Sequence, residues 1–146
     1  MWYFAYGSNM NRQQIERRVH RTGLRWMTGR LDSYTLCFNK ESTLDHSGKA
    51  NIVPDEQGTV WGVVFEVHEE ELERLRAFEG GYKKKKVEVV TPGQTEKLSA
   101  EAFVTDAGKP DRLPTSSYLQ TILEGACQHW LPMEYCQRLA NVKTTD

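Results

Sequence analysis

The stretch Tyr3-Phe4-Ala5-Tyr6-Gly7-Ser8-Asn9 opens the chain with an aromatic-rich segment that runs directly into a turn cluster. Aromatic residues favour strands, whereas a Gly-Ser-Asn cluster ends one. Asn9 or Asn11 is suited to cap a following helix, whose apolar residues recur at roughly helical spacing. In this order of strand, glycine loop and helix, the N–H groups of the loop point toward any ligand bound beyond the end of the strand.

Beyond this opening, further strands alternate with helices. Strands are predicted over residues 31–38, 50–53, 60–67, 87–90 and 98–104, with a type II turn at Pro92-Gly93. Helices are predicted to begin at residue 68, after a cap at 115–117, and at Pro132 as the first helical residue. Residues 39–49 are polar and are interpreted as a long mobile loop, and 54–58 as a hairpin turn. Sequential, turn-connected strands with about four helices predict an α+β fold with a mixed, mainly antiparallel sheet. Periodicity leaves open whether that sheet closes into a barrel.

Length and composition restrict the class of protein. The 146 residues suit one domain spanning 1–146. Nineteen basic residues face twenty acidic ones, so the overall charge gives no reason to expect a nucleic-acid partner. No apolar run approaches the about 20 residues of a membrane helix, and the first residues lack the pattern of a signal peptide. We therefore expect no membrane partner.

Cysteine and histidine spacing argues against a metal site. Cys37, Cys127 and Cys136 form no Cys-x-x-Cys pair, and the four histidines lie far apart. An odd number of widely spaced cysteines indicates a reducing, cytoplasmic compartment rather than a disulfide framework. The residues leave a homodimer open.

Two motifs are candidates for chemistry. Tyr6-Gly7-Ser8-Asn9 forms a loop whose N–H groups suit an anion, and Gly7 permits close approach and an unusual φ. The alternative is an ordinary turn with Asn9 as a helix cap.

Glu79 lies near a helix C-terminus before Gly80-Gly81, where the macrodipole opposes a carboxylate by about 0.3–1 kcal/mol. Such local inconsistencies are expected at functional sites, although a solvated glutamate is the alternative.

Two further features are ambiguous by themselves. Lys83 to Lys86 form a run of four cations, which suits an anionic-substrate gate, a nucleic-acid patch or simply a solvated strand that discourages edge pairing. Tyr118 follows the Ser116-Ser117 helix cap, where it either packs in the core or orients a ligand.

In combination these motifs resemble the gamma-glutamylcyclotransferase family, including its AIG2-like members. The resemblance spans nearly the whole chain and follows the family's order. The matching segments are Tyr3 to Met10, Arg30-Leu31, Gly48 to Ile52, Val60 to Phe65, Phe78-Glu79-Gly80 with Tyr82, Pro114 to Gly125 and Leu131 to Tyr135.

The resemblance implies a small mixed β-barrel with surrounding helices and a cavity at the Tyr-Gly-Ser-Asn loop. It implies cyclisation of a gamma-glutamyl compound to 5-oxoproline with release of the free amine, without a metal or an organic cofactor. Glu79 matches the catalytic acid/base. The substrate-binding candidates are Tyr3, Phe4, Ala5, Tyr6, Gly7, Ser8, Asn9, Tyr82 and Tyr118.

Substrate identity stays open. The segment between Glu79 and Tyr82 is shorter than in the glutathione-pathway enzymes of the family. The sequence leaves open whether the substrate is a free gamma-glutamyl amino acid, a gamma-glutamyl-lysine isopeptide or a gamma-glutamyl biosynthetic intermediate. The main alternative function is a non-catalytic small-molecule-binding module of the same fold, and a third is nucleic-acid binding through Lys83 to Lys86.

Overall fold

The computed structural model describes residues 1–146 and contains five strands and four α-helices. The strands are β1 (Trp2–Ala5), β2 (Trp26–Glu41), β3 (Gly48–Glu66), β4 (Lys83–Val89) and β5 (Leu98–Val104). The helices are α1 (Arg12–Val19), α2 (Glu69–Ala77), α3 (Ser116–Gln128) and α4 (Met133–Ala140), and a single 3₁₀ turn spans Ser8–Met10. No helix has the length and hydropathy that a membrane span requires.

The five strands form one sheet in the order β2-β3-β1-β5-β4. Every pair is antiparallel except β1 with β5, which meet in parallel at Tyr3 and Glu101. Arg30 in β2 and Val90, just after β4, exchange two backbone hydrogen bonds of 2.9 Å. These bonds join the two outer strands, so the sheet closes on itself. The α+β fold with a mixed, mainly antiparallel barrel and surrounding helices is therefore confirmed.

The first strand lies in the middle of the sheet and is almost wholly enclosed. The Phe4 side chain is fully buried and packs over Gly62 of β3, where a Cβ atom would lie only 2.9 Å from the phenylalanine ring. A side chain at residue 62 would displace that ring, so glycine is needed for this close approach. The packing fixes β1, and with it the loop that follows.

The loop after β1 is held between two helices. Asn11 caps α1, because its side-chain oxygen accepts a 3.2 Å hydrogen bond from the Gln14 N–H; of the two predicted caps it is the one used. Gly125 of α3 approaches the backbone of Met10 so closely that a Cβ there would lie 2.4 Å from the Met10 carbonyl carbon. The 3₁₀ turn is thus fixed from both sides.

The predicted long loop at 39–49 is wrong. Strand β2 continues to Glu41 and β3 begins at Gly48, which leaves only residues 42–47 as the turn. Asn39 is buried, donates to the carbonyl of Asp106 at 3.1 Å and accepts from Asn51 Nδ2 at 3.0 Å. These partners from distant parts of the chain satisfy polar side chains inside a strand, which a local pattern does not reveal.

The predicted hairpin turn at 54–58 is also wrong, because β3 runs through it without reversing. Tyr34 pairs with Pro54, whereas Asp32 pairs with Thr59, so the register shifts between these two pairs. The segment between them bulges, and Gln57 N–H donates to Asp55 Oδ1 at 3.0 Å as in an Asx turn. The turn residues mark a bulge rather than a change of direction.

Other predicted elements are confirmed with small changes of boundary. The helix after His68 is present, and the next helix begins after its cap Thr115. Pro132 precedes the last helix as its cap instead of being its first residue. Gly93 has a φ of +74°, as a type II turn between β4 and β5 requires.

Candidate active site

A cavity of about 610 Å³ opens between the 3₁₀ turn, the β2–β3 hairpin and the segment that joins α2 to β4. It gathers most of the residues that the sequence singles out, although they lie far apart in the chain. The predicted site residues that line it are Tyr3, Tyr6, Gly7, Ser8, Asn9, Glu79, Tyr82 and Tyr118.

Phe4 and Ala5 do not line this cavity. Their side chains are fully buried among the strands, where Phe4 packs on Gly62 and Ala5 pairs with Val63. This packing against β3 fixes the position of β1, which ends next to Tyr6.

Asn9 is at the centre of the polar network in the cavity. Its side chain is almost fully buried. Its Nδ2 donates to the Tyr3 hydroxyl at 3.0 Å and to Glu79 Oε1 at 3.2 Å. Its Oδ1 accepts from Arg18 Nη1 at 2.9 Å and from Gln14 Nε2 at 3.1 Å. With both ends of the amide engaged, Asn9 has one orientation and holds the Glu79 carboxyl in one place.

Glu79 lies two residues beyond Ala77, the last residue of α2, rather than within the helix end. Its N–H donates to the Arg76 carbonyl at 2.9 Å, and its carbonyl accepts from the Tyr82 N–H at 3.0 Å, so the backbone on both sides is fixed. Burial raises the pKa of the Glu79 carboxyl, and the positive charge of Arg18 partly offsets that effect. A carboxyl with a raised pKa is suited to both accept and donate a proton near neutral pH.

Three tyrosines complete the walls of the cavity. The Tyr118 hydroxyl accepts from the Ala50 N–H at 3.0 Å, and the Tyr82 hydroxyl donates to the Ala50 carbonyl at 2.7 Å. The Tyr6 hydroxyl donates to the Phe103 carbonyl. Burial raises the pKa of Tyr118 to about 12 and that of Tyr82 further, so their hydroxyls stay protonated at neutral pH.

Gly7 allows the loop to approach the opposite wall closely. A Cβ at this position would lie 3.2 Å from Ala50 Cβ and 3.7 Å from the Tyr118 hydroxyl. Its φ is −115°, so the unusual φ expected from the sequence is not found, whereas the expected close approach is. The Gly7 N–H donates to no backbone or side-chain acceptor of the chain, and this leaves it available to a ligand.

Three cations that were not predicted line the cavity, namely Arg18, Lys40 and Lys49. Arg18 stacks on the Phe78 ring, with its guanidinium carbon 4.4 Å from the ring centroid, and Lys49 Nζ lies 4.0 Å from the Tyr118 centroid. Burial lowers the pKa of both groups. One feature of the sequence could have indicated Arg18. Gln14 and Arg18 are one helical turn apart, so they share a face of α1.

The lysine run lies outside the cavity. Lys83 to Lys86 occupy β4 and are exposed, and Lys84 Nζ is 3.9 Å from Glu73 Oε1. This placement agrees with the interpretation as a solvated strand. No group of three His, Cys, Asp or Glu side chains is arranged to hold a metal ion.

Comparisons with known proteins agree with this barrel and cavity. Residues 59–139 match the model of the AIG2-like family. The chain is 30% identical to the gamma-glutamylcyclotransferase of Homo sapiens, over 99% of this chain and 79% of that protein, and 30% identical to that of Bos taurus with the same coverage. A solved structure of a gamma-glutamyl cyclotransferase, 28% identical, superposes with a TM-score of 0.89 over 99% of this chain and 89% of its own.

The fold and the family model together define an AIG2-like protein. The family model matches residues 59–139, whereas the similarity to the human gamma-glutamylcyclotransferase extends over nearly the whole chain at 30% identity. The chain belongs to the gamma-glutamylcyclotransferase family, and it is an enzyme of that class.

Proposed function

We propose that this enzyme cyclises a gamma-glutamyl amino acid or gamma-glutamyl amine to 5-oxoproline and releases the free amine. The observation that carries the proposal is the partly buried Glu79 carboxyl, which Asn9 Nδ2 holds at 3.2 Å inside a cavity of about 610 Å³. The relatives that match nearly the whole chain are named for this reaction.

The reaction is intramolecular. The substrate's α-amine nitrogen attacks its own γ-carbonyl carbon, a new C–N bond closes the five-membered ring, and the original C–N bond to the leaving amine breaks. One proton passes from the attacking nitrogen to the leaving nitrogen, and no water or oxidant is consumed. Orientation supplies much of the rate, since effective molarities of about 10⁵–10⁸ M are known for such reactions. No protein nucleophile is required.

Glu79 carries the proton between the two nitrogens. The amine attacks in its neutral form. Its nitrogen must lose one proton to a base as the new C–N bond forms, and the leaving nitrogen must gain one as its bond breaks. One carboxyl performs both steps when its pKa lies closer to neutrality than usual. Burial shifts the pKa of Glu79 in that direction.

The remaining groups of the cavity orient the substrate. The charges of Arg18 and Lys49 favour the α-carboxylate of a gamma-glutamyl group. The Gly7 N–H and the neighbouring N–H groups of the loop suit either that carboxylate or the oxyanion that develops at the γ-carbonyl. Tyr3, at 3.0 Å from Asn9, keeps the amide beside Glu79 in position.

The experiment is a panel of gamma-glutamyl compounds incubated with the purified protein, with 5-oxoproline as the readout. The panel contains gamma-glutamyl-alanine, a gamma-glutamyl-lysine isopeptide and glutathione. The α-linked glutamyl-alanine dipeptide is the matched control, because its γ-carboxyl carries no leaving amine. Release of 5-oxoproline from at least one gamma-linked compound and from no α-linked one is expected. Binding of the gamma-linked compounds without turnover would favour the non-catalytic binding module instead.

A further inference from the structure

Two large apolar side chains stand exposed at the mouth of the cavity. Leu44 is 93% exposed at the tip of the β2–β3 hairpin, and Phe78 is 55% exposed on the segment that precedes Glu79. Both residues line the cavity, whereas its interior is lined largely by tyrosines and polar groups. Two exposed apolar residues that line one cavity offer its ligand an apolar contact surface.

The hairpin holds Leu44 in this exposed position. Its N–H donates to Ser42 Oγ at 3.2 Å, and the Ser42 N–H donates to the Ser47 carbonyl at 2.8 Å across the base of the turn. Asp45 Oδ1 accepts from the Ser47 hydroxyl at 2.6 Å. Because the turn is fixed by its own hydrogen bonds, the leucine side chain is presented at the rim.

Phe78 is linked to the proposed acid/base, Glu79, by a series of contacts. The guanidinium carbon of Arg18 lies 4.4 Å from the centroid of the Phe78 ring. Arg18 donates a hydrogen bond to Asn9, and Asn9 donates one to Glu79. In the proposed reaction Glu79 protonates the leaving nitrogen. The group attached to that nitrogen therefore begins beside Glu79 and continues along the Phe78 side of the cavity, while the buried Tyr3 and Tyr6 enclose the inner end.

We propose that the mouth of the cavity, formed by Leu44 and Phe78, selects gamma-glutamyl amino acids whose leaving amino acid has an apolar side chain. The inference rests on the proposed cyclisation and adds the class of amine that is released. The apolar side chain of the leaving group packs against both residues and removes their exposed surface from water.

The test compares gamma-glutamyl-leucine with gamma-glutamyl-asparagine. The two leaving amino acids have similar shape and the same carboxylate, so their ratio of kcat/KM isolates the effect of apolarity. We expect a ratio of about ten or more in favour of leucine, since partial burial of a leucine side chain contributes on that order. The Leu44→Ser variant is expected to lower this ratio at least threefold, an order-of-magnitude expectation for an exposed contact.

Leu113→Ser is the matched control. Leu113 is also exposed, at 49%, but it does not line the cavity, so the ratio is expected to stay at the wild-type value. Leu44 is a better probe than Phe78, because Phe78 also supports Arg18 and its loss would disturb the network around Glu79.

The outcomes separate the two proposals. If both compounds yield 5-oxoproline with equal kcat/KM, the selection is refuted while the cyclisation stands. A preference for leucine that survives in Leu44→Ser would overturn the assignment to this rim. If neither these compounds nor the wider panel yields 5-oxoproline, the proposed function fails, and the selection fails with it.

Discussion

Asn9 and Glu79 are 70 positions apart in the chain, yet Asn9 Nδ2 lies 3.2 Å from Glu79 Oε1 at the centre of the cavity. The same amide group donates to the Tyr3 hydroxyl and accepts from Arg18, so Asn9 connects the first strand, the first helix and the segment after α2. Asn9 is therefore more than a turn residue, and the helix that follows is capped by Asn11 instead.

Asn9→Ala should lower kcat for 5-oxoproline release about 10- to 100-fold, because a hydrogen bond to a charged group contributes roughly 1.5–3 kcal/mol. KM should change less, since the substrate groups in the cavity remain. Steady-state kinetics against Asn141→Ala, an exposed asparagine at the end of α4, provides the control. An unchanged kcat in Asn9→Ala would show that the carboxyl does not depend on this contact.

The acidic limb of the pH–rate profile should move when Arg18 is replaced. Burial raises the pKa of Glu79 and Arg18 lowers it, so Arg18→Met removes the opposing charge and the pKa rises further. Activity that needs the ionised carboxyl is then lost at a higher pH than in the wild type. The kcat profile from about pH 4 to pH 8 measures the shift. Arg17→Met, at the exposed neighbouring position, should leave the limb in place, and a limb that moves to lower pH in Arg18→Met would contradict the assignment.

Gly7→Val should raise KM by about tenfold or more while the protein still folds. The new side chain would begin 3.2 Å from Ala50 Cβ and extend into the space beside the Tyr118 hydroxyl, where the substrate is proposed to bind. Gly108→Val, on an exposed loop outside the cavity, is the control for a general effect of valine. Wild-type KM and kcat in Gly7→Val would remove the loop from the proposed binding site.

The ion pair between Arg21 and Glu71 should stabilise the fold without contributing to the reaction. Arg21 Nε lies 2.7 Å from Glu71 Oε2, whose side chain is only 4% exposed, and the His68 N–H also donates to Glu71. These donors lower the pKa of Glu71 to about 2. The stability that they supply is complete above the unfolded-state pKa of about 4.5 and is lost as the pH falls through about 2.

Arg21→Ala should therefore lower the free energy of unfolding at pH 7 by about 2 kcal/mol, since it leaves a buried carboxylate without its partner. The difference from wild type should shrink at pH 3. Urea unfolding at the two pH values measures it, with Arg17→Ala as the exposed control. A loss that is the same at both pH values would show that the effect does not come from the Glu71 charge.

Local patterns predict those parts of this fold that depend on neighbouring residues. The apolar run at 60–67, the helix cap at Thr115 and the Pro92-Gly93 turn each follow from the preferences of a few adjacent residues. The same local reasoning fails at 39–41, where a strand continues through polar residues because Asn51 and Asp106 satisfy Asn39 from elsewhere in the chain. It also fails at 54–58, where turn residues produce a bulge.

The candidate site likewise contains residues that the sequence indicated and residues that it did not. The family motifs indicated Glu79 and the loop at 6–9 by resemblance, and the structure places them around one cavity. Arg18 and Lys49 were missed, because their contacts with Asn9 and Tyr118 are formed between segments that no local motif connects. Phe4 and Ala5 lie next to the site in sequence, but both side chains are buried against β3 and neither lines the cavity.

The central claim, that Glu79 carries the proton in the cyclisation, is tested most directly by kcat for 5-oxoproline release in Glu79→Gln. Glutamine keeps the size and the hydrogen bond to Asn9 but does not transfer a proton, so kcat should fall about 10²–10⁴-fold with KM little changed. Circular dichroism should match the wild type, and Glu88→Gln, an exposed residue outside the cavity, should be fully active. A Glu79→Gln protein that keeps about a tenth or more of the wild-type kcat, or that is inactive only because it is unfolded, would contradict the account.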